Sequence, residues 1–308
     1  CIRDRSTNDA DFVEHMINLS THDYILFFTD KGKVYRLKGY EIPEFSRQSK
    51  GIPIVNLLQV EKDERVNAVI QISREENSKY LLFATEAGVV KKTLISEFDN
   101  IRQSGKIAIT LRDGDELNSV KKSTGEDFVL MCSSNGRMVR FNENEVRVMG
   151  RSAAGVRGIT LENDYCVGTE VASESQEVLV VTEKGYGKQT KVSEYRQTRR
   201  GSKGVKAMNI TEKNGNLVSV KIVHKGKELV IMTNSGMTMR MPLDQISVLG
   251  RVTQGLRLIN LKDNQKVSTI SLVDKVEEEI SEENIEQSEN VAQNELEVAE
   301  NIQNTEAE

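Results

Sequence analysis

Five glycines set the phase of this chain. Gly32, Gly88, Gly136, Gly185 and Gly236 each end an apolar run and a short polar turn, in YILFFTDKG, YLLFATEAG, FVLMCSSNG, EVLVVTEKG and ELVIMTNSG, and they stand 56, 48, 49 and 51 residues apart. A period of about fifty residues marks a repeat architecture, in which one supersecondary unit is copied and stacked on itself.

Other positions keep step with that glycine. Ten residues on stands an apolar or aromatic residue (Ile42, Phe98, Val146, Tyr195, Ile246), preceded by an acid or amide (Glu41, Glu97, Glu145, Glu194, Gln245). A second glycine follows nineteen residues after the first at Gly51, Gly155, Gly204 and Gly255, and seventeen after it at Gly105. Period-two alternation, β-branched residues and glycine-bearing turns read as strands joined by hairpins. About four strands per repeat predicts an all-β, propeller-like ring of blades with very little helix.

The opening segment, CIRDRSTNDADFVEHMINLS, matches the part of a repeat that follows the second glycine. The chain is therefore expected to hold the remnant of a first blade at residues 1–23, a five-repeat body at 24–273, and a tail at 274–308. A first residue that is Cys and not Met suggests a fragment of something longer. The tail carries thirteen acids and one lysine, lacks Gly and Pro, and reads as disordered. The overall charge of −5 thus averages a basic body, with 41 Lys and Arg against 34 Asp and Glu, and an acidic tail.

Several chemistries find no support. No apolar run approaches the roughly 18 residues of a membrane span. Three cysteines at scattered spacing, Cys1, Cys132 and Cys166, suggest neither a disulfide framework nor a zinc site. TEKGYGKQT has Thr182 and Gln189 where a phosphate-binding loop needs Gly and Ser or Thr, and no helix pattern follows it. His15, His22 and His224 stand alone. Paired acids such as Asp113 and Asp115 read as solvated turn residues. No catalytic residue and no metal ligand is assigned.

The cations recur in register. Four residues after the turn glycine come Arg36, Lys92, Arg140, Gln189 and Arg240. Four before the second glycine come Arg47, Arg151, Arg200 and Arg251, with Arg102 one place out, and two after it come Arg157, Lys206 and Arg257. Lys50 precedes Gly51, and the stretch YRQTRRGSKG adds Arg196, Arg199 and Lys203 around Arg200. Matched positions in a ring project to one rim, and a basic rim is the electrostatic footprint of nucleic-acid binding. Glycine beside arginine lets backbone N–H groups approach phosphate. No aromatic ladder accompanies these cations, which argues against stacking of single strands.

The hairpin pattern L-x-x-T-x-x-G-x-x-[KR], KGIPIVNLL at residues 50–58, GKIAITLRDGDEL at 105–117 and GRSAAGVRGITL at 150–161 resemble the C-terminal domain of the DNA gyrase A subunit over nearly all of residues 1–273. The resemblance implies a six-bladed β-pinwheel whose blades exchange strands, here with the first blade incomplete, and a basic perimeter that wraps duplex DNA. It further implies a part in ATP-dependent negative supercoiling by a type IIA topoisomerase of the bacterial cytoplasm, an A2B2 heterotetramer that also contains the N-terminal region of gyrase A, and gyrase B. ATP and Mg2+ belong to other parts of that assembly, and the family's catalytic tyrosine belongs to another region. The family's box, Q-[RK]-R-G-G-[RK]-G, is matched only by TRRGSKG at residues 198–204, with Thr198 for Gln and Ser202 for Gly. The true box is expected just upstream of Cys1. The C-terminal domain of the A-type chain of topoisomerase IV and a protein-interaction propeller remain as alternatives.

Overall fold

The structure, a computed structural model, describes residues 17, 19–45, 51–73, 76–262 and 264–275. The first repeat forms β1 (Tyr24–Thr29), β2 (Lys33–Lys38) and β3 (Val66–Ile72). The second forms β4 (Tyr80–Thr85), β5 (Val89–Leu94), β6 (Lys106–Ile107) and β7 (Leu117–Ser123). The third forms β8 (Phe128–Ser133), β9 (Arg137–Asn142), β10 (Val156–Arg157) and β11 (Cys166–Ala172). The fourth forms β12 (Glu177–Thr182), β13 (Tyr186–Lys191), β14 (Val205–Lys206) and β15 (Leu217–Ile222). The fifth forms β16 (Lys227–Thr233), β17 (Thr238–Pro242), β18 (Leu256–Arg257) and β19 (Val267–Asp274). Among the described residues there is no α-helix. Helical turns are short 3-10 segments such as Glu143–Glu145, Val192–Glu194 and Leu243–Gln245, each just after a hairpin.

Each hairpin turns on its phased glycine. Gly32 has φ +73°, which side-chain-bearing residues seldom adopt, and a Cβ there would lie 2.6 Å from the Ile109 carbonyl oxygen. That close approach reflects the topology. The sheets run β3-β1-β2-β6, β10-β5-β4-β7, β11-β8-β9-β14, β15-β12-β13-β18 and β17-β16-β19. The two-residue strand after Gly105, Gly155, Gly204 or Gly255 therefore leaves its own repeat and pairs with the hairpin of the repeat before, as Val205 with Met138 and Lys206 with Arg137. The turn glycine's carbonyl receives it: Ala108 donates to Gly32, Gly158 to Gly88, Ala207 to Gly136 and Leu258 to Gly185, each at 2.8 Å. The second glycine makes room for the crossing, since a Cβ on Gly204 would meet the Met138 carbonyl oxygen at 2.4 Å.

Alternate residues of one hairpin strand feed two different cores. On β8, Val129 and Met131 join Leu82, Val90 and Ile159 on one side, while Leu130 and Cys132 join Val180, Tyr195 and Met208 on the other. Burial on both faces is why these runs are apolar throughout and not alternating. The first interface is aromatic, with Phe28 edge-on to Phe83 at 5.3 Å between centroids.

Six blades are expected from the resemblance, and the described residues form five. Residues 1–16 and 18, most of the expected remnant, lie outside the described residues, as do residues 276–308 of the tail.

Candidate nucleic-acid interface

β3, β7, β11 and β15 pack against one another from blade to blade, which places them at the inner edge of the sheets. The exchanged strands β6, β10 and β14 occupy the opposite edge of their sheets and so form the perimeter, and β18 holds the same place in the fourth. The phased cations sort into three groups around it.

Three of the cations four residues after the turn glycine, Arg36, Lys92 and Arg140, are structural, while Arg240 is exposed. Lys92 is 3% exposed and Arg140 4%. The Lys92 ammonium donates to the Glu143 carbonyl at 3.0 Å and lies 3.6 Å from the Glu143 carboxylate. Arg140 donates to the carbonyls of Val192 and Tyr195 at 3.3 and 3.0 Å, reaches Glu174 at 2.7 Å and stacks over Phe128. Arg36 donates to the Asp99 carbonyl. In each case the cation caps the 3-10 turn of the following repeat. Gln189, the neutral member, does the same to the Leu243 carbonyl at 2.7 Å, which explains how an amide keeps step with cations. Arg240, in the last hairpin, pairs with Glu228. Lys92 and Arg140 do not face solvent, and the recurrence that marks them as rim residues in the sequence arises from a repeated inter-repeat cap.

The arginines four residues before the second glycine brace the perimeter from outside. Arg151 donates to the carbonyl of Ile107, Arg200 to that of Arg157 at 2.6 Å, and Arg251 to that of Lys206 at 2.7 Å. Each is half-buried and ties its loop to the exchanged strand one repeat earlier. Arg102 is exposed; Arg47 and Lys50 lie outside the described residues.

The third group faces solvent. Arg157, Lys206 and Arg257 are exposed at one matched register of three exchanged strands. Arg257 leans on the Tyr186 hydroxyl at 2.9 Å. Beside β10, the loop from Tyr195 to Gly204 presents Arg196, Arg199 and Lys203, all exposed, and Lys203 pairs with the exposed Glu162. Tyr195 roots that loop in the core. The loop's amides are largely committed within the protein: Thr198 donates to the Arg140 carbonyl at 2.7 Å, Gly201 to Gly158 at 2.6 Å and Ser202 to Arg199 at 3.3 Å. Phosphate contact from this loop therefore falls to its side chains.

Two lysines escaped the sequence reading. Lys91 and Lys188, three residues after their turn glycines, are fully buried. Lys188 donates to the carbonyls of Gly250 and Arg251 at 2.8 and 2.6 Å, and Lys91 to those of Ala108 and Arg151. Burial lowers the Lys188 ammonium to about 8 and that of Lys91 to about 7. Both fasten the loop that carries the bracing arginine. Their common register was the available signal. Cys132 and Cys166 are buried, and burial raises both thiols, Cys166 to about 11, so neither is reactive. Among the described residues no group of three or more His, Cys, Asp or Glu is arranged to hold a metal ion.

The profile of the family described as "DNA gyrase C-terminal domain, beta-propeller" matches residues 23–73, 79–123, 127–173, 176–224 and 227–274. The chain is similar to the DNA gyrase A subunit of Staphylococcus epidermidis, 49% identical over 276 residues, covering 88% of this chain and 31% of that protein. It is also similar to the DNA gyrase A subunit of Staphylococcus aureus, 47% identical over 296 residues, covering 95% and 33%. Among solved structures, the C-terminal domain of DNA topoisomerase IV superposes with TM-score 0.78 at 26% identity, covering 88% of this chain and 85% of the other. The DNA gyrase A C-terminal domain superposes with TM-score 0.70 at 25% identity, covering 82% and 83%. The chain spans about a third of the length of the curated relatives it matches.

Proposed function

The chain belongs to the DNA gyrase C-terminal domain family, and from that premise we propose that it binds duplex DNA along its perimeter and bends it there. The observation that carries this reading is the exposure of Arg157, Lys206 and Arg257 at one register of successive exchanged strands, with Arg196, Arg199 and Lys203 beside the first. Cations at matched positions of successive blades can meet phosphates in turn, and each contact helps offset the bending cost of on the order of 1–6 kcal/mol for 20–30 base pairs. The domain supplies positioning and no bond-breaking group. In the whole protein it acts on the DNA that a type II topoisomerase passes through itself, with the N-terminal part of gyrase A, gyrase B and ATP supplying cleavage and energy.

Replacing Arg157, Lys206 and Arg257 together by Gln tests the reading. Loss of three phosphate contacts is expected to lower the magnitude of the log–log salt slope by about 0.9 for each of them. An unchanged slope removes the exchanged strands from the DNA path.

The topoisomerase IV superposition favours a second reading, in which the same surface serves an enzyme that only relaxes or unlinks DNA. Introduction of negative supercoils into relaxed plasmid by the full-length protein with its B-type partner and ATP supports the gyrase reading; relaxation alone supports the other.

A further inference from the structure

We propose that Glu145 and Glu194 are positioning residues for phosphate binding, each fixing the bracing arginine of the next repeat, Arg200 or Arg251, that holds the backbone of an exposed cation on an exchanged strand, Arg157 or Lys206, with Glu145 also fixing the loop that carries Arg199. The inference rests on the reading of that perimeter as a duplex-binding surface and adds to it the residues that set the geometry.

An exposed carboxylate beside a phosphate path is unfavourable by simple electrostatics. Glu145 is exposed, and it bonds Arg200 in the loop that also carries the exposed Arg199 and Lys203. Left as a bare charge it would repel phosphate and weaken binding. It is not bare. Its Oε2 accepts the backbone N–H of Arg200 at 2.8 Å, and its own carbonyl accepts Arg200 Nε at 3.3 Å. Arg200 is thus held at its backbone and its side chain by Glu145, and at the tip of its guanidinium by the Arg157 carbonyl. One repeat later the arrangement recurs: Glu194 Oε2 accepts the backbone N–H of Arg251 at 3.1 Å, and Arg251 reaches the Lys206 carbonyl.

The other bonds of each loop hold residues on both sides of the arginine and leave its N–H to the carboxylate: Thr198 N–H donates to the Arg140 carbonyl at 2.7 Å and Gly201 N–H to that of Gly158 at 2.6 Å, and in the next loop Leu249 N–H donates to the Gln189 carbonyl at 2.8 Å. Thr160 N–H donates to the Ser202 carbonyl at 3.0 Å, and Asn209 N–H to that of Thr253 at 3.1 Å. Arg199 stands immediately before the residue that Glu145 holds, and its side chain has no partner among the described residues. Without the carboxylate the Arg200 N–H loses its acceptor, and the segment between Thr198 and Gly201 loses the bond that holds Arg199 at a fixed place relative to Lys203. A long cation that must be ordered on binding gives up side-chain and backbone entropy that a pre-ordered loop has already lost. Glu145 and Glu194 thus order the basic surface in which they stand.

The sign of one comparison separates this from the alternatives. In the full 308-residue chain, Glu145→Ala and Glu145→Gln each remove one negative charge. If the carboxylate acts only through its charge, both variants bind a duplex oligonucleotide more tightly than the parent. Positioning predicts that Glu145→Ala weakens binding by roughly threefold to tenfold and flattens the salt slope by about 0.9 for each phosphate that is no longer neutralised. It also predicts that Glu145→Gln, whose amide oxygen still accepts the Arg200 N–H, binds at least as well as the parent. Glu194→Ala and Glu194→Gln repeat the test on the next loop, and equal melting temperatures of the Gln and Ala forms confine the effect to the loop. Tighter binding by both Ala variants overturns the inference. Failure of the parent chain to bind duplex DNA with steep salt dependence overturns instead the reading on which it rests.

Discussion

The guanidinium of Arg140 donates to the main-chain oxygen of Tyr195 at 3.0 Å, across 55 residues and from one repeat into the next. It leaves the side chain 4% exposed, and together with Lys92 and Gln189 it shows that a register of polar residues can serve repeat cohesion in place of binding. The two roles separate experimentally.

Arg140→Ala removes the donor to two buried carbonyls, each of which costs about 1–3 kcal/mol when left unsatisfied. Thermal melts are expected to show a fall of several degrees, with about 2–4 °C for each kcal/mol in a domain of this size. Arg140→Gln, by analogy with Gln189, is expected to recover part of the loss. The salt slope of DNA binding stays unchanged in both, and a flatter slope with an unchanged melt would place Arg140 back on the DNA path.

Arg199 and Lys203 are exposed and Arg200 is braced, so the three cations of the loop are expected to divide. The Arg199→Ala, Lys203→Ala double variant lowers the magnitude of the salt slope by about 1.8, equally for all duplex sequences, because phosphate contacts carry no sequence information. Its melting temperature stays at the parental value. Arg200→Ala lowers the melting temperature as well, since it frees the Arg157 carbonyl. Identical behaviour of the two variants in melts and titrations would show that the brace at Arg200 has no structural weight.

Burial holds Lys188 and Lys91 below the ordinary lysine value of 10.5. An unfolded lysine remains protonated at a pH where the folded one has lost its proton, so the unfolded chain binds more protons between about pH 7 and 10. The destabilisation is complete below the folded values, near 7 and 8, and fades as the pH climbs toward the unfolded one. Unfolding free energy from these groups therefore rises with pH. Lys188→Met removes one titration. Urea unfolding of parent and variant from about pH 7.5 to 10 is expected to show the parent gaining on the variant, by at most about 1.4 kcal/mol per pH unit. A difference that stays constant with pH contradicts the lowered Lys188.

Residues 276–308 carry twelve acids and no cation. A segment of that charge tethered to a basic body is expected to compete with DNA for the exposed cations at high effective concentration. Deleting it is expected to tighten duplex binding most at low ionic strength, where screening is weakest. Equal affinities of the full and shortened chains in a low-salt titration would leave the segment without that role.

The sequence by itself determined the period, the hairpins at Gly32, Gly88, Gly136, Gly185 and Gly236, the all-β class and the family. These are local or periodic properties: a left-handed turn favours glycine, and the first strand of each hairpin, buried on both faces, carries a continuous apolar run. It also placed the cations in register. What the register means was decided only in three dimensions. Arg140 and Arg157 are equally periodic and equally charged along the chain. The 3-10 turn of the next repeat encloses one, on β9, through the Val192 and Tyr195 carbonyls, and strand exchange leaves the other exposed on the edge strand β10. Which carbonyls lack a partner, and which edge meets water, depends on segments some fifty residues apart coming together. No spacing within one repeat records that.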